Sequence, residues 1–207
     1  MLFDDFYKTI QSPAEGIFKD RGSKFVGFAF PISNEQEVKK YLQQIKQEHH
    51  QCNHHCYAFR MTTDPTVFRF SDDREPAGTA GKPILGQILS KELTDVLVIV
   101  ARYFGGTLLG VPGLINAYKM GAADALNNAI IITKTINGVY EIVFAYELAN
   151  EVLQWLRSEP AIIKEQNYDG PCKIIFEIRR GRVNELMQKL KNNYLLESKV
   201  VVNVLSC

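Results

Sequence analysis

The chain has 207 residues, 46% of them hydrophobic and 23% charged, with a formal net charge of +1. That length holds one or two domains with a real core, and the near-zero charge excludes attachment to nucleic acid or membrane through net charge alone. Four cysteines do not make a disulfide framework, no apolar run approaches the roughly 18 residues of a membrane span, and the acidic N-terminus is no signal peptide, so the expectation is free thiols in a soluble cytoplasmic protein.

Gly16–Asp20 and Lys24–Phe30 flank a turn at Arg21-Gly22-Ser23 and predict a β-hairpin that Pro31 ends. Ser33 with Gln36 predicts a capping box, and Val38, Tyr41, Leu42 and Ile45 recur at helical spacing over 34–48. Cys56–Arg60 and Val67–Phe70 read as short strands around a turn at Asp64-Pro65. Ile84, Leu85, Ile88 and Leu89 mark a short helix, with Lys82 and Pro83 in its first turn. Val96–Val100 is continuously apolar, as a strand buried on both faces is. A second helix over about 113–129 would turn Leu114, Ile115, Tyr118, Ala122, Leu126 and Ala129 to the core. Past Asn137-Gly138 the rhythm changes. Strand 139–145, helix 147–158, strand 161–167, a turn at Asp169-Gly170-Pro171, strand 172–178, helix 182–193 and strand 199–205 give the split-βαβ, ferredoxin-like order βαββαβ. The fold class expected is therefore α+β, with one domain over 1–136 and a second over 137–207.

Two glycine-rich polar segments flank the apolar strand, Ser71–Pro83 (SDDREPAGTAGKP) and Arg102–Gly113 (RYFGGTLLGVPG). Such segments either hold a ligand close to the backbone or make tight corners that the fold needs. Asp72, Asp73 and Glu75 offer oxygen ligands for a divalent cation, yet they match no fixed ligand pattern and Arg74 sits among them; the plainer reading is that they cap turns and pair with Arg69, Arg74 or Arg102. Ala77–Lys82 lacks the spacing of a nucleotide P-loop, although backbone amides at a helix start beside Lys82 suit a lone phosphate. His49, His50, His54 and His55 crowd around Cys52 and Cys56 without the second ligand pair of a zinc site, and read instead as a helix C-terminal turn with one or two rings near the glycine surface. Cys52 or Cys56 with His54 meets the composition of a Cys/His nucleophile and nothing more. No metal or cofactor is expected.

Phe25-Val-Gly-Phe28, His54–Arg60, Ser71–Pro83 and Val100–Gly110 together resemble the signature of the YigZ/IMPACT family, over nearly the whole N-terminal domain. The C-terminal βαββαβ order resembles the second domain of the bacterial members. Arg74 and Pro112 stand where the family usually has glycine. The resemblance implies an N-terminal domain similar to the second domain of ribosomal protein S5 and a C-terminal domain similar to the last domain of elongation factor G. It also implies a link to translation, since eukaryotic relatives regulate initiation by competing for the activator of a stress kinase. The leading expectation is a regulatory protein that contacts RNA or the ribosome, with a translation factor as a further partner. Phosphates would be held by Lys82, Arg102, Gly78, Thr79, Gly81, Gly105, Gly106 and Thr107, with His54, His55, Asp72, Asp73 and Glu75 as further surface candidates. Lys82 and Arg102 are expected to be exposed. Two alternatives stand beside it: a metal-assisted enzyme acting on a phosphorylated small molecule, with the three acids as ligands or base, and a protein-interaction regulator of a stress response without RNA contact. The balance of these readings falls against an enzyme.

Overall fold

The structure is a computed structural model that describes residues 6–61, 68–168, 171–183, 185 and, for the backbone alone, 200–205. It is α+β, and it divides into two compact units, Tyr7–Lys134 and the chain from Thr135 onward with the residues up to Phe6.

The first unit is built on a five-stranded antiparallel sheet. Strands β2 (Ala14–Asp20) and β3 (Ser23–Pro31) form the hairpin, its two-residue turn taking positive φ at Arg21 and Gly22. That backbone twist is the one that matches paired strands. Strand β4 (His54–Arg60), β5 (Phe68–Ser71) and β6 (Val96–Tyr103) complete the order β2-β3-β6-β4-β5. Central β6 is buried along both faces. Val96, Val98 and Val100 face a cluster shared with α2 (Gly81–Ser90) and α3 (Gly110–Asn127), and Leu97, Ile99 and Ala101 face one shared with α1 (Glu35–Glu48). The sheet thus lies between two helical layers.

Several expectations need correction. Helix α1 is capped one residue later than Ser33: Asn34 Oδ1 accepts the Glu37 N–H at 3.0 Å, and the Glu37 carboxylate accepts the Ser33 N–H at 2.6 Å. Leu89 and Ile115 are exposed, because α2 and α3 turn Ile88 and Leu114 inward at those levels. Strands β1 (Phe6–Ile10) and β7 (Ile131–Thr135) pair in a two-stranded sheet that the sequence pattern does not announce. The turn at Asp64-Pro65 lies outside the described residues.

In the second unit β8 (Asn137–Phe144), a 3-10 turn at Tyr146–Leu148, α4 (Ala149–Ser158), β9 (Ile162–Asn167), β10 (Cys172–Arg179) and β11 (Val200–Leu205) follow in turn. The antiparallel order β11-β8-β10-β9 is that of a split βαβ fold. Cys172, Ile174, Phe176 and Ile178 alternate inward along β10 and meet Val152 and Leu156 of α4. Residues 180–183 and 185 are helical, and the rest of the expected helix 182–193, like Asp169-Gly170 of the preceding turn, lies outside the described residues.

Candidate functional site

Strand parity creates the site. Continuing the alternation Val96, Val98, Val100 past the apolar run puts Arg102 on the α2/α3 face of the sheet, at the end of β6. There Arg102 is paired in register with His54 of β4 on one side and Phe25 of β3 on the other. Its guanidinium lies 5.6 Å from the centre of the Phe25 ring and 5.5 Å from that of Phe104.

Arg102 is 7% exposed, which corrects the expectation that it is a free surface cation. It donates to Glu75 Oε1 at 2.6 Å, and the Tyr118 hydroxyl of α3 donates to the same oxygen at 2.8 Å. A buried carboxylate needs such partners, since an isolated charge would carry its full desolvation cost. The loop after β5 holds Glu75 in place through the Glu75 N–H, which donates to the Asp72 carbonyl at 2.9 Å. Burial pushes the Tyr118 hydroxyl and the Cys56 thiol far up, so both stay protonated; Cys56 donates to the Asp72 carbonyl and is not an activated nucleophile.

Asp72 shapes the start of α2. Its Oδ2 accepts the Gly78 N–H at 2.8 Å, and its Oδ1 accepts those of Ala80 and Gly81 at 3.0 and 2.8 Å. The amides that a phosphate would use are therefore already bonded to a carboxylate of this chain. Thr79 is buried and donates its hydroxyl to the Pro76 carbonyl, and the Gly105 N–H donates to Ser23 Oγ. Gly105 answers a packing need: a Cβ there would stand 1.9 Å from the Gly22 carbonyl carbon. Lys82, Gly106 and Thr107 remain exposed.

The other acid and the histidines are also engaged. Asp73 Oδ2 accepts the His55 N–H at 2.7 Å, and the Asp73 carbonyl accepts from His54 Nδ1 at 2.8 Å. His54 Nε2 then faces Glu75 Oε1 at 4.0 Å. His55 lies on the opposite face of β4, bonded to the His49 carbonyl, and burial lowers its pKa. Asp73 and Arg74 take positive φ, +37° and +71°, and Arg74 donates to the Asn53 carbonyl at 2.6 Å. Arg69 lies apart from this acidic turn and pairs with Glu35 instead. Among the described residues no three His, Cys, Asp or Glu side chains are placed to hold a metal ion.

A cleft of about 710 Å³ opens over this network. Its floor includes His54, Glu75 and Arg102; its apolar wall comes from Pro76, Phe104, Leu108, Val111 and Leu114. Of the thirteen residues singled out in the sequence, the cleft gathers only those three on its lining. Lys82, Gly78, Thr79, Gly81, Gly105, Gly106 and Thr107 lie outside it, as do His55, Asp72 and Asp73, which brace it. Sequence reading missed the wall. Its signal was the run Leu108-Leu109-Gly110-Val111, apolar residues inside a segment otherwise read for its glycines.

The same segments match known proteins. The Impact N-terminal domain matches residues 21–126. The IMPACT family member YvyE of Bacillus subtilis is 30% identical over 90% of this chain and 87% of its own length. The IMPACT family member YigZ of Escherichia coli is 34% identical over 86% of this chain and 89% of its own. The chain belongs to the IMPACT family. The crystal structure of a hypothetical protein covers 98% of both chains at 26% identity, with a TM-score of 0.70. No helix among the described residues is long and apolar enough to cross a membrane.

Proposed function

We propose that this chain is a regulatory protein of translation that works by docking a segment of a protein partner in the cleft above Glu75 and Arg102. The observation that carries the reading is the wall: Leu108 is 80% exposed, Phe104 55% and Val111 52%, all lining one concavity. Large apolar side chains held open around a concave, partly polar floor suit an anchor residue of a partner. Membership of the IMPACT family supports the link to translation that the sequence resemblance implies. The same reading places the protein in the cytoplasm.

Contact with RNA or the ribosome through Lys82 and the glycine loops has less support. It calls for a basic concavity, whereas the one Lys or Arg among the described residues that line the cleft, Arg102, is neutralised by Glu75. A metal-assisted enzyme has less again, because Asp72 and Asp73 accept backbone N–H groups of this chain. The test is co-sedimentation with ribosomes and initiation factors across a salt series, with and without nuclease, for the unaltered chain, Leu108→Ser and Lys82→Glu. Protein docking in the cleft predicts binding that resists nuclease, is lost in Leu108→Ser and is kept in Lys82→Glu. Binding that nuclease abolishes and Lys82→Glu weakens, with Leu108→Ser unaffected, would overturn it in favour of RNA.

A further inference from the structure

The chemistry of the cleft floor narrows what can dock there. Both hydrogen bonds to Glu75 end on Oε1, so among the described residues Oε2 accepts none. Arg102 donates through Nη1 to Glu75; its Nε–H is buried and closed to a ligand, and its Nη2, which makes no hydrogen bond among the described residues, is the donor left on the floor. Because the Asp73 carbonyl accepts from His54 Nδ1, Nε2 is the ring nitrogen turned to the same floor, 4.0 Å from Glu75 Oε1. The floor therefore sets an acceptor, Glu75 Oε2, and a donor, Arg102 Nη2, side by side, and the charges of Glu75 and Arg102 cancel.

That pairing disfavours either sign of ligand. An anion that reaches Arg102 also meets Glu75, and a cation that reaches Glu75 also meets Arg102, in a site where Arg102 and Glu75 are largely withdrawn from water. The complement of an adjacent acceptor and donor of zero net charge is a group with its own adjacent donor and acceptor. We infer that the cleft recognises a neutral amide, a peptide bond or carboxamide flanked by an aliphatic side chain, the amide on Glu75 and Arg102 and the aliphatic group against Phe104, Leu108 and Val111. This rests on the protein-docking reading above and adds the chemistry of the segment that docks. Leaving the floor's donor and acceptor unmatched under a bound ligand is the costly alternative.

The experiment titrates the full chain, labelled with nitrogen-15, with four probes: 4-methylpentanamide; 4-methylpentanoate and 4-methylpentylammonium, in which a charge replaces the amide on the same aliphatic group; and inorganic phosphate. Glu75 and Arg102 support the fold, so the probe series reads the floor and the exposed Leu108→Ser variant reads the wall. 4-Methylpentanamide should move the backbone resonances of Asn53, Arg102, Phe104 and Leu108. Its Kd should be at least about fivefold below those of both charged analogues, the worth of roughly one hydrogen bond. Phosphate should leave those resonances in place, and Leu108→Ser should weaken the amide. Equal or tighter binding of either charged analogue or of phosphate at the cleft would overturn the inference, as would failure of the neutral amide to move those resonances. If either occurs while Leu108→Ser still releases the protein partner in co-sedimentation, the amide inference alone falls. Loss of both would remove the docking reading as well.

Discussion

Replacing Arg102 with methionine keeps a long side chain between the Phe25 and Phe104 rings and removes only the charge and its hydrogen bond. Glu75, with 4% of its side chain exposed, is then left with Tyr118 as its hydrogen-bond partner among the described residues. Breaking a buried pair from one side costs roughly 3–5 kcal/mol, because the remaining charge stays buried without compensation. For a chain of this size that lowers Tm by about 6–20 °C. Glu75→Gln should cost a similar amount by stranding Arg102. The double variant, Arg102→Met with Glu75→Gln, should recover at least about 2 kcal/mol against the sum of the singles, since neither charge is left over. Far-UV circular dichroism against urea gives the three values. The single tryptophan, Trp155, belongs to the other unit, so its fluorescence should follow a separate transition that none of these variants moves. If Arg102→Met costs under about 1 kcal/mol and shows no coupling with Glu75→Gln, the pair is behaving as an exposed one and the argument for a buried neutral floor is refuted.

Gly105→Ala should destabilise the chain by about 3 kcal/mol, the upper range of overpacking, because the new Cβ lands on backbone that cannot move aside; a melting curve within a degree of the unaltered chain would contradict this. Arg74→Gly should be more stable than Arg74→Ala by about 1 kcal/mol, since both lose the bond to Asn53 and only the alanine keeps a Cβ at φ +71°; equal stabilities would remove the argument from backbone strain. Residues 137–207 expressed alone should give a cooperative urea transition, because the order β11-β8-β10-β9 with α4 closes its own apolar cluster; a non-cooperative melt would count against treating it as an independent domain.

The parts of the fold that were legible in sequence are those whose pattern is local. Val96–Val100 announces a strand covered on both sides, and the alternation of β10 announces one covered on a single side. Strands β1 and β7 escaped because FYKTI and IITKT are short, partly polar and defined by each other rather than by a local period. The site was half legible. His54, Glu75 and Arg102 stood out by type, but the burial of Arg102 depends on strand parity carried two residues past the apolar run. Tyr118 read as a core aromatic of α3, and it is one; its hydroxyl becomes part of the site only when the loop after β5 brings Glu75 over it. The helix α2 amides read as open to phosphate because nothing in the sequence says that Asp72 folds back onto residues 78–81.

That folding back bears on how the cleft can bind. A glycine-rich loop with free amides is adaptable and must be ordered by its ligand, at a cost in conformational entropy. Here the loop after β5 is tied by Asp72 to the start of α2, by Asp73 to β4 and by Glu75 to β6 and α3. The opposite wall is tied as well: Gly105 is pressed against the hairpin turn at Gly22, and Phe104 sits against the guanidinium that Glu75 holds. The floor and these wall anchors therefore share partners before anything binds. A segment entering the cleft meets a surface with little left to order, so its affinity depends on the match of its own donor, acceptor and apolar anchor to Glu75, Arg102 and Leu108.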